Sequence, residues 1–270
     1  MIRVEEHDGV TFIRASRSFL GRPVFWGGAY LVDGLLVDCG PTVTARELLK
    51  AVADRRVDGL VVTHHHEDHY GAAALLLKER GIVPQVPAAA LPLLAEGFVL
   101  EAYRRFTWGR PPRVRAEALG TEVRTASLCL SVVPTPGHSA DHVCFFEPER
   151  GWLFTGDLFL AERLRYLRDD EDLRALIDSL RAVSALPLRQ VFCAHRGPVR
   201  DGPAALRRKA DGLEEIWQRS SELLKQGLPE AEISRRVVGP EGLMTLFSFG
   251  RFSARNFVRA VAAHQRGQHH

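Results

Sequence analysis

The sequence predicts a mixed α/β (α+β) fold followed by a C-terminal helical extension. Three observations carry that prediction. Short apolar runs bounded by Gly, Pro and Asp alternate with helical periods as far as about residue 200. Beyond Gly202-Pro203 the pattern is helical almost to the end. The chain has 270 residues, 46% of them hydrophobic and 26% charged, which is ordinary globular composition. That length suits one large domain over 1–200 and an extension over 201–270.

In chain order, residues 10–13 and 29–32 read as strands, and Asp33-Gly34 reads as a tight hairpin turn into a third strand, 35–37. Between the first two, residues 22–28 form a loop expected to expose Phe25 and Trp26. Asp38-Cys39-Gly40-Pro41 ends the third strand, and Thr42 is expected to cap a helix over 44–54. A buried strand at 59–63 leads into a histidine cluster and then an Ala- and Leu-rich helix ending near Arg80. Residues 84–115 read as an irregular insertion: a helical piece over 91–103, then Phe106-Thr107-Trp108-Gly109-Arg110-Pro111-Pro112, which is expected to be non-regular. Strands return at 128–133, 143–146, 151–155 and 190–194, with a helix over 170–184. The C-terminal helices fall into three segments, punctuated by Gly227-Leu228-Pro229 and Gly239-Pro240. Phe247, Phe249, Phe252 and Phe257 are expected to form a seam that docks these helices or builds a homodimer.

Composition excludes several classes. A net charge of +3 is small for this length and does not argue for nucleic acid. The segment 1–10 carries Glu5, Glu6 and Asp8 and does not read as a signal peptide, and no apolar run approaches the ~20 residues of a membrane helix. The four cysteines, Cys39, Cys129, Cys144 and Cys193, lie singly and read as thiols of a reducing, cytoplasmic compartment. His269 and His270 read as a tag remnant.

The chemistry concentrates at Thr63-His64-His65-His66-Glu67-Asp68-His69. Core packing does not ask for four imidazoles and two carboxylates at the end of an apolar strand. Metal binding does, since neutral imidazole and carboxylate are the usual ligands of zinc and its neighbours. In extended backbone His64 and His66 point the same way, while His65 and Glu67 point elsewhere. Three later strand ends add single candidates: His138 in Pro134-Thr135-Pro136-Gly137-His138, Asp157 in Thr155-Gly156-Asp157, and His195 in Ala194-His195-Arg196-Gly197. Seven ligands exceed the four of a closed structural zinc, so two ions with open positions fit better.

His64-x-His66-x-Asp68-His69, then His138, Asp157 and His195 in this order, resembles the metallo-β-lactamase superfamily, and Val37-Asp38-Cys39-Gly40 resembles its first motif. The resemblance covers roughly residues 1–200. It implies an αββα sandwich with a two-metal site at one edge of the paired sheets. It also implies that His64, His66 and His138 hold the first ion, that Asp68, His69 and His195 hold the second, and that Asp157 bridges them. Aspartate rather than cysteine at the bridge is similar to the glyoxalase II-like and lactonase-like branches. The lactonase branch carries a tyrosine three residues after the bridge, where this chain has Leu160. Asp38 is expected to lie behind a histidine ligand and fix its tautomer.

The implied activity is a metallo-hydrolase: a hydroxide activated by two divalent metal ions, zinc first and iron or manganese as alternatives, attacks a small ester, thioester or lactone. Asp68 is also expected to handle the proton of the attacking water. Two rivals stay open. One is a mononuclear iron enzyme similar to the persulfide dioxygenases; the other is an RNA- or DNA-processing nuclease, disfavoured by the modest charge. Phe25, Trp26 and Trp108, with Phe106, are expected to rim the substrate pocket, and Tyr70 to line it. His142 is expected to be a satisfied core or supporting histidine, and His65 to face solvent. Arg163, Arg165 and Arg168 are expected at a solvated helix start.

Overall fold

The structure is a computed structural model that describes residues 1–267. His269 and His270 lie outside the described residues. Two compact units make up the chain. The first comprises Met1–Pro134, Asp141–Asp157 and Pro187–Gly202; the second comprises Thr135–Ala140, Leu158–Leu186 and the chain from Pro203 onward. Chain order and compactness therefore part company, because two segments from before residue 200 belong with the C-terminal helices.

The first unit holds two mixed sheets. The seven-stranded one runs, in spatial order, Ile2–His7, Val10–Ala15, Gly27–Val32, Leu35–Val37, Gly59–Val61, Pro84–Val86 and Glu117–Ala118. The first four strands are antiparallel, and the last three continue parallel from Leu35–Val37. The turn at Asp33-Gly34 forms as expected: both residues take positive φ, 44° and 78°, which joins antiparallel strands without splaying them. The six-stranded sheet runs Glu122–Arg124, Cys129–Pro134, Val143–Glu147, Trp152–Phe154, Gln190–Cys193 and Gly197–Val199.

The sheets pack face to face through one core. Phe12, Tyr30, Val37 and Val61 of the first sheet meet Leu130, Phe145, Phe154 and Phe192 of the second. Tyr30 joins them twice: its ring stands edge-on to Phe154 and Phe192, each at 5.4 Å, and its hydroxyl donates to the Cys193 carbonyl at 2.6 Å. Each such buried aromatic contributes roughly 1.5–3 kcal/mol over leaving it exposed. The other face of the seven-stranded sheet buries Ile13, Leu36, Leu60 and Val62 against Leu48 and Leu76, from the helices Ala45–Ala51 and Ala73–Arg80.

Several local expectations are corrected. Thr42 does not cap a helix; it lies in a 3₁₀ turn, and its hydroxyl donates to the Gly71 carbonyl at 3.3 Å. The segment 84–115 is more regular than expected, with a parallel strand at Pro84–Val86 and helices at Leu91–Glu96 and Ala102–Trp108. Phe106, Thr107 and Trp108 are thus helical, because the breakers that follow set where the helix ends, at Gly109, and leave its interior alone. The third C-terminal segment also divides, into Leu243–Phe247, a short strand Phe252–Ser253 and Arg255–Gln265.

In the second unit, Leu173–Ser184 is capped by Asp172, whose Oδ1 accepts from the Ala175 amide at 3.0 Å. Leu167–Arg168 pairs with Phe252–Ser253, and Phe257 is fully buried. The phenylalanine seam therefore splits, since Phe249 is 83% exposed. Arg168 is buried and ion-paired with Asp170, contrary to the expected solvated helix start.

Candidate metal centre

Parallel pairing brings the donor segments of the first unit together. Val37 pairs with Val61, so Asp38 and Thr63 leave their strands at the same end, and the Asp38 amide donates to the Val61 carbonyl at 2.8 Å. In the other sheet Phe154 pairs in parallel with Phe192, so Asp157 and His195, each three residues later, also leave side by side. The Val143 amide donates to the Thr63 carbonyl at 2.9 Å and ties the two sheets at this end.

At that end His64 Nε2 lies 2.8 Å from His66 Nδ1, and a donor oxygen of Asp157 is within 4.8 Å of both rings' donor atoms. Asp68, His69 and His195 form a second group within the same limit. Asp157 also reaches two members of this one, with Oδ1 2.9 Å from His195 Nε2 and 3.3 Å from His69 Nε2. Asp68 Oδ2 is 3.5 Å from His195 Nε2 and 3.9 Å from His69 Nε2. Two donors on one tetrahedral zinc stand roughly 3.3 Å apart, given bonds of about 2.0–2.2 Å, so these separations suit a shared ion.

Electrostatics point the same way. Burial opposes charge on His69, yet Asp38, Asp157 and Asp68 around it hold its imidazolium state well above the ordinary histidine range. Burial also opposes charge on His195, but Asp157 and Asp68 raise it to about 9. This cluster of buried carboxylates recruits protons onto the nearest imidazoles, and a metal cation meets the same demand. His69 Nε2, buried and aimed at the acidic oxygens, has no hydrogen-bond partner among the described residues. The donor set fits a divalent metal.

Four of the donor rings are oriented from behind. His69 Nδ1 lies 2.7 Å from Asp38 Oδ2, and Asp38 also accepts from the Thr63 amide at 2.8 Å. His64 Nδ1 lies 3.0 Å from the Thr63 hydroxyl. His195 Nδ1 donates to the Trp26 carbonyl at 2.6 Å. His138 stands in the second unit, where its Nδ1 lies 2.6 Å from buried Glu171. His142 accepts the Asp157 amide at Nε2, 3.1 Å away, and so steadies the loop that presents that carboxylate. His65 does not face solvent freely: Asp141 takes both its amide and its Nδ1, each at 2.8 Å. Sequence reasoning misses Glu171, Asp141 and the Trp26 carbonyl, and no local signal marks them.

The four pocket residues separate. Phe25 and Trp108 come together, with ring centroids 6.5 Å apart, and Trp108 lies 6.1 Å from the His195 ring. Trp26 instead has the guanidinium groups of Arg3 and Arg14 over its ring, each 4.9 Å from the centroid. Tyr70 is buried and lines a cavity of about 260 Å³ with Phe98, Arg110 and Arg113, whose lining contains none of the donors. Gly71 beside it explains the close seating of this turn, because a Cβ there would lie 2.2 Å from the Thr42 nitrogen.

Comparison with known proteins agrees with this geometry. The profile of the metallo-beta-lactamase superfamily matches residues 29–195. A hydroxyacylglutathione hydrolase from Legionella pneumophila (strain Corby) is 40% identical over 78 residues, 28% of this chain and 30% of that protein. A lactamase-like protein from Arthroderma gypseum is 34% identical over 112 residues, 42% of this chain and 34% of its own length. The chain thus spans about a third of the curated relatives it matches. Among solved structures, a metallo-beta-lactamase family protein from Thermus thermophilus superposes with a TM-score of 0.66 at 22% identity, covering 96% of this chain and 94% of that one. A beta-lactamase domain protein from Burkholderia ambifaria gives 0.70 at 20% identity, over 98% and 88%. At such identities the likeness shows the fold alone, the αββα sandwich. The profile covers more than half of the sequence, and the chain belongs to the metallo-β-lactamase superfamily.

Proposed function

We propose that this chain is a metal-dependent hydrolase that binds two divalent ions, zinc first, and cleaves a small ester, thioester or lactone. The carrying observation is the reach of Asp157, which groups with His64 and His66 and also stands 3.3 Å from His69 Nε2 and 2.9 Å from His195 Nε2. His64, His66 and His138 are assigned to one ion, Asp68, His69 and His195 to the other, and Asp157 to both. Bound there, the ions would lower the pKa of a shared water and polarise the substrate carbonyl.

The protein's own part is orientation and proton handling. Asp38 holds the proton of His69 on Nδ1 and leaves Nε2 free to ligate. The Trp26 carbonyl does the same for His195. The Asp68 carboxylate, buried beside both rings, is placed to accept the proton of the attacking water. Trp108 and Phe25 supply an apolar wall beside His195. The partial likeness to a hydroxyacylglutathione hydrolase supports thioesters within the substrate class. The four cysteines form no disulfide among the described residues, which suits the reducing conditions of a cytoplasm.

The test is metal content per chain, from protein purified without added metal or chelator, followed by a panel of esters, thioesters and lactones. Two divalent ions, with hydrolysis abolished by chelation and restored by zinc, is the expected result. About one iron per chain with oxygen uptake on a persulfide would replace this reading.

A further inference from the structure

Glu67 stands between two donors, His66 and Asp68, and its carboxylate is fully buried. Burial and neighbouring Asp68 push its pKa up; Arg104 opposes them. Arg104 grips it in a fork, with Nε 2.9 Å from Oε1 and Nη2 2.5 Å from Oε2. The Arg104 side chain is only 11% exposed. Arg104 lies on the helix Ala102–Trp108, four residues before Trp108, so both side chains lie on one face. One end of that face thus holds the loop carrying His64 to His69, and the other end reaches the His195 ring at 6.1 Å.

A seven-residue helix has little stability of its own, so its position depends on what anchors it. Gly109 closes it against Val43, where a Cβ would lie 2.8 Å from Val43 Cγ1. That contact is apolar and non-directional, as is the burial of Tyr103 and Thr107 on the same helix. The Glu67–Arg104 fork is planar and directional, so it is the contact of this helix that specifies an orientation.

We propose that Arg104 is a positioning residue for substrate: by gripping Glu67 inside the donor loop, it sets the helix so that Trp108 walls the space beside His195. The apolar part of an ester or thioester rests on that wall. Only this substrate consequence rests on the hydrolase reading; the positioning itself does not.

Removing Arg104 alone would strand a buried carboxylate, so the principal variant is Glu67→Met/Arg104→Met, which replaces the pair by apolar groups of similar volume. Two readouts are made. Acrylamide quenching of Trp108 is isolated by difference against Trp108→Phe in each background, and KM and kcat are measured on an aryl ester. In the double variant the metal content should hold, Trp108 quenching should rise about twofold, and KM should rise about tenfold with kcat nearly unchanged. Adding Trp108→Ala should then cost no more, because both changes remove the same wall. Arg104→Lys keeps the charge without the fork and should fall between.

Unchanged Trp108 quenching, additive KM penalties, or loss of metal with Trp108 still shielded would each overturn the proposal. Should no variant or wild type hydrolyse any ester, thioester or lactone, the hydrolase reading fails, and quenching alone decides the positioning role.

Discussion

Replacing Asp38 by Asn tests whether the group behind the donor ring sets the metal site. The backbone at Asp38 has φ 61°, a left-handed conformation that asparagine tolerates as well as aspartate does. The change therefore acts on hydrogen bonding rather than on strain. Asp38 receives the Thr63 amide at Oδ1 and faces His69 Nδ1 with Oδ2. An amide must keep its oxygen toward Thr63, since the opposite rotamer sets two buried N–H groups against each other, at about 1–3 kcal/mol. The amide nitrogen then faces His69 Nδ1 and donates to it. The ring must carry its own proton on Nε2, the atom that faces Asp68 and Asp157. Ligation requires displacing that proton, and changes of this kind cost about 10–100-fold in metal affinity, or roughly 1.4–2.7 kcal/mol. Competition against a chromophoric chelator reads the two binding steps separately. One step, the ion held by His69, should weaken by that factor while the other holds. Equal affinities in wild type and variant, or equal weakening of both steps, would refute the argument.

Three further outcomes follow from the same geometry. Without metal, Asp157 and Asp68 raise the His195 pKa to about 9 against its burial, so metal must displace its proton below that pH. Apparent affinity should climb from pH 6.5 to 9 and flatten above. The sign for stability is opposite: the raised pKa stabilises the metal-free fold fully below about 6.5 and is lost as pH rises through about 9, so chelated protein should melt lower at pH 9.5 than at pH 6, by about 3 kcal/mol in stability. Gly156→Ala should be severe, because φ is 47° and a Cβ would lie 2.8 Å from both His142 Nε2 and Thr63 Oγ1. Strain and overpacking together cost roughly 2–4 kcal/mol, or about 5–15 °C in Tm by calorimetry, with metal lost as Asp157 is pushed aside.

The strand ends are legible in the sequence because each is an apolar run that stops at a polar donor, and burial and chemistry change together there. Asp38 is legible for the same reason, as the first polar residue after Leu35-Leu36-Val37. What stands behind the other donors is not. Glu171 is 33 residues from His138 and Arg104 is 37 from Glu67, and such partners are chosen by tertiary approach, which leaves no periodicity. The edge strand Ile2–His7 escapes because no residue in it is fully buried, so it lacks the alternation that marks a half-buried strand. The helix Ala102–Trp108 escapes because Gly109, Pro111 and Pro112 read as breaking what precedes them, when they only end it.

The donor loops share a further device. Asp38 takes positive φ at the end of one parallel strand, and Gly156 takes it two residues beyond the end of another. A strand that ran on in extended form would alternate its side chains between the faces of the sheet and send half of them into the core. Left-handed backbone breaks that alternation at once, at Asp38 itself and at Gly156 just before Asp157. The cost at a non-glycine residue is of order 1–3 kcal/mol, and it persists where surrounding bonds over-determine it. At Asp38 those bonds are the Thr63 amide, the Thr63 hydroxyl and His69, the same contacts that fix the tautomer. Strain and ligand orientation at this position are therefore one feature, and Asp38→Ala should lose both, destabilising the fold as well as the metal, where Asp38→Asn weakens only the ion held by His69.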